Sequence, residues 1–162
     1  MVTASIDDNY KDMNVLAFIN AWIVNWCTIC LVCLYQPFMV IWLGDEFLLP
    51  FSTMLLMSLQ FMFSRISVMT FTYREAAGLW WEDRFRPIIA TIVNLIINFS
   101  LVEKMGINGV VISTIFCTLV INIPWGAYVL FKKYFKKSPL EYFLKILFYM
   151  GSGAAAGILT YI

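Results

Sequence analysis

The sequence predicts an all-α integral membrane protein in which about five helices cross the lipid bilayer. Hydrophobic residues make up 62% of the 162 residues, and charged residues only 13%. The mean hydropathy is +0.82. A soluble domain is ordinarily about half apolar and a quarter charged. A soluble chain of this length would therefore lack a core large enough to bury so much apolar surface.

Five apolar stretches supply the helices, because a crossing of the hydrocarbon core takes about 20 residues. Open strands are excluded in lipid, and the alternating pattern of a membrane barrel is missing. Residues 1–14 are predicted to form a cytoplasmic N-terminal segment, and residues 15–162 the helical bundle. The stretches are segment A (Val15–Leu43), segment B (Phe51–Tyr73), segment C (Pro87–Val102), segment D (Gly109–Phe131) and segment E (Leu140–Ile162).

The segments differ in how well they fit a straight crossing. Segment A is too long for one, and Pro37 predicts a kink or hinge near its end. Segments B, D and E have the expected length. Segment C is short, but Phe85 and the residues before it are available to extend it. Pro124 predicts a second kink, in segment D.

Cations in the links between segments predict the orientation. Lys11 precedes segment A, Gly44–Pro50 has no cation, and Lys104 is alone between C and D. The cation-rich links are B–C, with Arg74, Arg84 and Arg86, and D–E, with Lys132, Lys133, Lys136 and Lys137. The positive-inside rule then places the N-terminus and both of these links in the cytoplasm.

Arg65 is the first candidate for contact with a substrate. It lies about 21 Å from Phe51 and about 12 Å from Tyr73 along a helix of 1.5 Å rise per residue. A cation near the bilayer centre costs roughly 2.5–3.5 kcal/mol on insertion scales, so it ordinarily faces a partner or a hydrated cavity. The alternative is that its long side chain reaches the inner headgroups. Gln60 shares segment B and is a weaker candidate for a cavity-lining group.

Two polar stripes along segment B strengthen this interpretation. A helix that only anchors a protein in lipid needs no polar side chains, so the stripes predict burial in a bundle beside a polar path. One stripe is Ser58, Arg65 and Thr72, and the other is Thr53, Gln60, Ser64 and Ser67.

Other polar and small residues favour packing over a site. Asn94 and Asn98 are candidate lining groups, but side chains of this kind more often form hydrogen bonds between helices. Gln36, next to Pro37, is a weak candidate for substrate contact. Gly153 and Gly157 form a GxxxG pattern, which is typical of closely packed membrane helices. A further packing face is predicted in segment D at Thr114, Thr118, Asn122 and Gly126.

The residues give no indication of catalysis, a cofactor or a metal. Cys27, Cys30 and Cys33 have the spacing of a metal-binding run, but they lie in an apolar helix and the chain has no histidine. We expect them to fill space as small apolar groups. No glycine-rich phosphate loop or catalytic triad is present, so an enzyme is not expected. The net charge of +1 argues against a nucleic-acid partner.

A series of short strings carries a family resemblance over most of Val15–Tyr134. The strings are Cys33–Phe38, Ile41–Gly44, Tyr73–Pro87, Asn94–Asn98 and Gly106–Gly109, followed by Ser113-Thr114. In their order and helix–loop–helix spacing the chain resembles bacterial flippases of polysaccharide repeat units, of the O-antigen and capsule type. These belong to the superfamily that also holds the MATE multidrug exporters. The strings before Asn94 are the more specific ones.

The resemblance implies a larger transporter of about 12–14 helices in two bundles around a central cavity. Such flippases move undecaprenyl-pyrophosphate-linked oligosaccharides across the bacterial inner membrane for surface polysaccharide and lipopolysaccharide synthesis. The chain would be a C-terminal piece, with segment A like the ninth helix and segment E like the thirteenth. The implied partners are the lipid bilayer, the lipid-linked oligosaccharide and other membrane proteins of polysaccharide assembly. Arg65 would then pair with a pyrophosphate or an acidic sugar.

Three alternatives stay open at this point. A fragment of a MATE-type multidrug exporter shares the fold, but such exporters usually need carboxylates within the membrane, and no carboxylate lies near mid-membrane here. A membrane-bound glycosyltransferase or polymerase would have longer links outside the membrane. A non-transporting membrane subunit would need no polar interior.

Overall fold

The computed structural model describes residues 5–161, and all of its regular elements are helices. They are α1 (Ile6–Leu43), α2 (Phe51–Ile66), α3 (Val68–Ala76), α4 (Trp80–Asp83), α5 (Arg86–Met105), α6 (Ile107–Cys117), α7 (Ile123–Val129) and α8 (Leu140–Tyr161). Five runs are long and apolar enough to cross a membrane, namely Ile6–Leu43, Phe51–Ala76, Trp80–Met105, Ile107–Phe135 and Leu140–Thr160. The all-α membrane fold is confirmed.

The first helix begins earlier than segment A. The Ser5 hydroxyl accepts a hydrogen bond from the backbone N–H of Asp8 at 3.1 Å, and Asp7 and Asp8 lie in the first turn. A side-chain cap and acidic residues both stabilise a helix N-terminus. The described part of the predicted N-terminal segment is therefore the first turns of α1, and residues 1–4 lie outside the described residues. The helix continues through Pro37 and ends at Gly44, which has a φ of 90°.

Segment B is broken where the sequence predicts one helix. The break falls at Ser67, between α2 and α3, with φ −95° and ψ 3°. Ser67 is 1% exposed, and its hydroxyl has no hydrogen-bond partner among the described residues. The two predicted stripes are not buried along their whole length. Ser58 is buried, whereas Arg65 and Thr72 lie on the surface.

Segment D is an irregular helix on both sides of Pro124. A π-helical stretch, Thr118–Asn122, comes directly before Ile123 and Pro124, and a second one, Leu130–Phe135, follows α7. The Ile123 N–H bonds to the Thr118 carbonyl, five residues earlier. Such a wide turn accommodates the missing N–H and the ring of a proline inside a helix.

The region between Arg74 and Arg86, predicted as a loop, is mostly helical. Helix α3 continues to Ala76, α4 follows after a turn in which Gly78 has a φ of 70°, and α5 begins at Arg86. Pro87 lies in the first turn of α5, where its missing N–H leaves no bond unmade. The link between the second and third crossings is therefore short and structured.

The helices lie side by side in the order α8, α1, α2, α6, α5, with α3 packed on α1 and α7. The N-terminus of α1, the 74–86 region and the 132–140 link meet at one end of the bundle, which we call the packed end. There Asn9 donates to the Tyr134 hydroxyl at 3.0 Å, and Lys137 pairs with Asp7 at 2.7 Å. Across the same end Thr70 is hydrogen-bonded to Tyr142. The three parts predicted to share one side of the membrane do share one end.

The hydrophobic core of the bundle lies at the packed end. Its aromatic rings meet edge to face or tilted, as for Tyr10 with Phe135 at 5.3 Å and Phe131 with Tyr142 at 5.2 Å between ring centroids. Elsewhere large apolar side chains point outward, including Trp22 at 70% exposure and Ile41 at 87%. A surface this apolar suits contact with lipid. The buried core residues are Met13, Ala21, Ile66, Tyr73, Ala127, Leu130, Phe131, Phe135, Tyr142 and Ile146.

Close packing at glycines fixes two helix contacts. The GxxxG pattern of α8 lies against α1, as predicted, because a Cβ on Gly153 would collide with the Asn25 side chain. A Cβ on Gly157 would lie 3.5 Å from Ile29, an ordinary contact. At the turn from α5 to α6, a Cβ on Gly109 would lie 2.7 Å from the Leu101 carbonyl oxygen. Small residues therefore let these helices approach closely.

Candidate functional site

A cleft of about 410 Å³ lies between α1, α2 and α8. It exists because α8 and α2 both pack on α1 but hardly touch each other. Its walls are formed by Ile29, Val32 and Cys33 of α1, by Phe51, Leu55, Leu59 and Met62 of α2, and by Gly153, Ala154, Gly157 and Ile158 of α8. The lining is almost wholly apolar.

The two polar residues of the cleft are tied to backbone carbonyls. Thr28 donates to the Val24 carbonyl at 2.8 Å, within its own helix. The Asn25 amide donates to the Tyr149 carbonyl at 2.9 Å and so links α1 to α8. The Asn25 side-chain oxygen is buried and has no partner among the described residues. The cleft therefore offers a ligand almost only apolar walls.

Arg65 lies on the surface of the bundle, three residues beyond the cleft-lining Met62. Among the described residues nothing forms a hydrogen bond or an ion pair with its guanidinium. Its backbone carbonyl accepts a hydrogen bond from Asn20 at 2.9 Å, which holds α2 against α1 close to the Ser67 break. Arg65 thus presents an unpaired cation next to the cleft without lining it.

The remaining predicted contact residues lie away from the cleft. Gln60 is half-buried and is not part of the lining. Gln36 donates to the Leu49 carbonyl at 3.3 Å and ties the end of α1 to the following link. In this position Gln36 supports the fold. Pro37 and Pro124 also lie outside the cleft, in α1 and α7.

Asn94 and Asn98 join α5 to α6. Asn98 donates to Asn94 at 2.7 Å, and Asn94 donates to the Thr114 hydroxyl at 3.5 Å. The Ser113 hydroxyl, fully buried, donates to the Asn98 side-chain oxygen. The predicted use of these asparagines in hydrogen bonds between helices is confirmed. Such bonds take the place of water for polar groups inside the membrane.

The packed end holds a buried charge network that the sequence did not predict. Asp83 pairs with two guanidiniums: Arg74 Nη2 lies 3.2 Å from its Oδ2, and Arg86 Nε lies 2.8 Å from its Oδ1. The Arg86 Nη1 also donates to the Asn122 side-chain oxygen at 2.6 Å. The side chains of Arg74 and Asp83 are only 5% and 11% exposed. We call these three charged residues the Arg–Asp–Arg network.

The network forms because the helix in segment D makes room for it. A Cβ on Gly126 would lie 3.1 Å from Arg74 Nη1, so any larger residue there would push the guanidinium back by a few tenths of an ångström. The Phe71 ring lies under both guanidiniums, 4.7 Å from that of Arg74 and 5.0 Å from that of Arg86. The predicted packing face of segment D is therefore real at Asn122 and Gly126. This predicted packing face was the sequence feature that indicated a tertiary contact at Asn122 and Gly126, where Arg86 and Arg74 now lie.

The cysteines carry no metal site. Cys27, Cys30 and Cys33 are free and half-buried, and Cys117 is free and buried. Within residues 5–161 no group of three or more histidine, cysteine or acidic side chains is placed to hold a metal ion. Cys33 instead contributes to the wall of the apolar cleft.

Comparison with known protein families, curated proteins and solved structures finds no match for this chain. Its function is therefore inferred from its own residues and their geometry. Two features stand out, the apolar cleft beside Arg65 and the Arg–Asp–Arg network.

We predict that Asp83→Asn destabilises the protein strongly. The change leaves two buried guanidiniums without their counter-charge, and removal of one partner from a buried pair typically costs about 3–5 kcal/mol. The measurement is the free energy of unfolding in detergent, by titration with a denaturing detergent. Glu82→Gln is the matched control, because Glu82 is the exposed neighbour and such surface changes stay within about 0.5 kcal/mol. Equal stabilities of the two variants would contradict a buried network.

Proposed function

We propose that the chain is part of a transporter that flips undecaprenyl-pyrophosphate-linked oligosaccharide units across the bacterial inner membrane for surface polysaccharide synthesis. The observation that carries the proposal is the apolar cleft of about 410 Å³ with the unpaired Arg65 next to it. A lipid-linked sugar needs both features, because it joins a long hydrocarbon anchor to a charged pyrophosphate. The family resemblance of the sequence favours the same substrate class.

The cleft suits the hydrocarbon part of such a substrate. Its walls are side chains such as Val32, Leu59 and Ile158, and the polar groups of Asn25 and Thr28 are engaged with backbone carbonyls. A prenyl chain in the cleft would therefore meet apolar groups on three helices. It would not displace any of the hydrogen bonds that hold those helices together.

Arg65 suits the charged part. A guanidinium binds phosphate oxygens through two parallel N–H bonds, which a lysine cannot reproduce. Arg65 follows the cleft-lining Met62 by three residues, so its cation would lie near the charged end of a prenyl chain held in the cleft. A pyrophosphate there would also offset the cost of a bare cation in the membrane, roughly 2.5–3.5 kcal/mol on insertion scales.

The proposal includes an orientation, with the packed end and the N-terminus in the cytoplasm. The packed end holds the clusters of arginine and lysine, whereas Asp45, Glu46 and Glu103 lie at the other end with Lys104. This distribution follows the positive-inside rule. Substrate would then enter from the side of the packed end and leave at the other.

We predict that Arg65→Gln lowers flipping about 10–100-fold at matched protein levels. The loss corresponds to a charge-assisted hydrogen bond of about 1.5–3 kcal/mol at 1.4 kcal/mol per factor of ten. Arg65→Lys should keep part of the activity, because it keeps the charge and loses the fork geometry. Lys104→Gln is the charge-matched control at the other end, and it should flip normally.

The assay is surface polysaccharide in cells and transfer of a labelled lipid-linked sugar in proteoliposomes, both with the complete transporter. Normal export by Arg65→Gln would contradict the assigned role. Drug efflux without sugar transfer would indicate a multidrug exporter. No transport of either kind would indicate a subunit without a transport role of its own.

We predict that filling the cleft also blocks flipping. In Ala154→Trp the indole would occupy space next to Gly153 and Gly157, so a hydrocarbon chain could no longer enter. Ala155→Trp is the control, since Ala155 is the adjacent residue on the same helix, is exposed and is not part of the lining. Transfer in proteoliposomes should fall for the first variant only. Equal activities at equal folded amounts would show that the cleft does not hold the substrate.

A further inference from the structure

We propose that the packed end holds a binding site for a phosphate group, separate from Arg65 and the apolar cleft. The site is a pocket of about 190 Å³ beside the Arg–Asp–Arg network. Three guanidiniums line it, those of Arg74, Arg84 and Arg86, together with the carboxylates of Asp83 and Glu75. This inference does not depend on the proposed transport function.

The buried charges beside the pocket are not balanced. Arg74 and Arg86 share a single carboxylate, that of Asp83, so the buried network carries one surplus positive charge. Their side chains are only 5% and 15% exposed, so water does little to screen that charge. A buried charge without a counter-charge is costly. Glu75 also acts electrostatically on Arg74, but it is exposed, so water screens its charge more than that of Asp83. An anion in the pocket would neutralise the remaining positive charge.

Within the described residues, one donor of the Arg74 guanidinium is unpaired, and it lies against Gly126, a residue outside the pocket lining. Arg74 Nη2 pairs with Asp83, but Nη1 is buried and has no hydrogen-bond partner among the described residues. Gly126 beside it has no side chain that could supply one. A guanidinium has five N–H groups, and a buried donor left unpaired costs about 1–3 kcal/mol. Phosphate oxygens are strong acceptors for donors of this geometry.

A third guanidinium, that of Arg84, lies in the pocket lining and is exposed. Arg84 is exposed, and its guanidinium stacks on Trp81 at 3.8 Å and on Phe85 at 4.5 Å from the ring centroids. Stacking keeps the charge near the pocket while its N–H groups stay available. With Arg84 the lining has three cations and two anions, which favours an anionic ligand.

The ligand of this site would be a phosphate group, which has two sources at a membrane surface. One is the headgroup of an anionic phospholipid, and tryptophans such as Trp80 in the lining are common at headgroup depth. The other is a soluble phosphate or pyrophosphate. Both would place their oxygens between the guanidiniums of Arg74 and Arg86 on one side and of Arg84 on the other.

The test measures the thermal unfolding midpoint of the purified chain in two arms. In the first, inorganic phosphate or pyrophosphate is added in detergent against chloride at equal ionic strength. In the second, nanodiscs of phosphatidylcholine are compared with nanodiscs that also contain phosphatidylglycerol. We expect the midpoint to rise in at least one arm, and the responding arm identifies the source. A midpoint unchanged in both arms would overturn the proposal.

Variants separate a site from a general salt effect. Arg84→Gln removes an exposed cation, so it should fold normally and raise the ligand concentration at half-maximal shift about tenfold, as expected for one charge-assisted hydrogen bond. Lys104→Gln, an exposed cation at the other end, should respond like the unchanged chain. Equal shifts in all three proteins would overturn the proposal.

Asp83→Asn distinguishes a site from a network that only holds helices together. The variant makes the pocket more positive, so its anion-dependent rise in midpoint should exceed that of the unchanged chain. A network without a binding role predicts a destabilised protein that the anion does not restore. That second result would overturn the proposal.

Discussion

Inside a bilayer a polar group has no water to bond, and the rest of this structure depends on that constraint. The backbone meets it by forming helices throughout the described spans. Side chains meet it by finding partners on the next helix, as Asn94 and Asn98 do on α6 and Asn25 does on α8. Few groups of the described residues are left without partners, and the two proposed ligand sites are each built around one of them, Arg65 and the Nη1 of Arg74.

The same constraint divides the bundle into two functional regions. At the packed end, aromatic rings, ion pairs and the 74–86 region close the helices together. Farther along, α8 packs closely on α1 but hardly touches α2, and the apolar cleft opens between them. This division into a closed polar end and an open apolar half fits the proposed binding of an amphipathic lipid from one leaflet. The break at Ser67 lies between the two regions.

Hydropathy predicted the spans well because lipid imposes length and apolarity on each helix independently of its neighbours. It also predicted the packing roles of Gly153, Asn98 and Gly126, since small and polar residues in a span have few other uses. The Arg–Asp–Arg network could not be predicted in this way. Charged residues at the end of a span ordinarily face water, and only the tertiary contact with Asn122 shows that these are buried. The Ser67 break left no glycine or proline as a signal.

We propose that the bundle spans the membrane with its packed end in the cytoplasm. Cysteine labelling in intact cells is the most direct test of this orientation. In a chain whose four cysteines are replaced by alanine, single cysteines are introduced as Glu46→Cys and Lys133→Cys, both at exposed positions. With the packed end in the cytoplasm, a membrane-impermeant maleimide should modify Glu46→Cys in intact cells and Lys133→Cys only after the membrane is opened. Labelling of both from outside, or the reverse order, would contradict it.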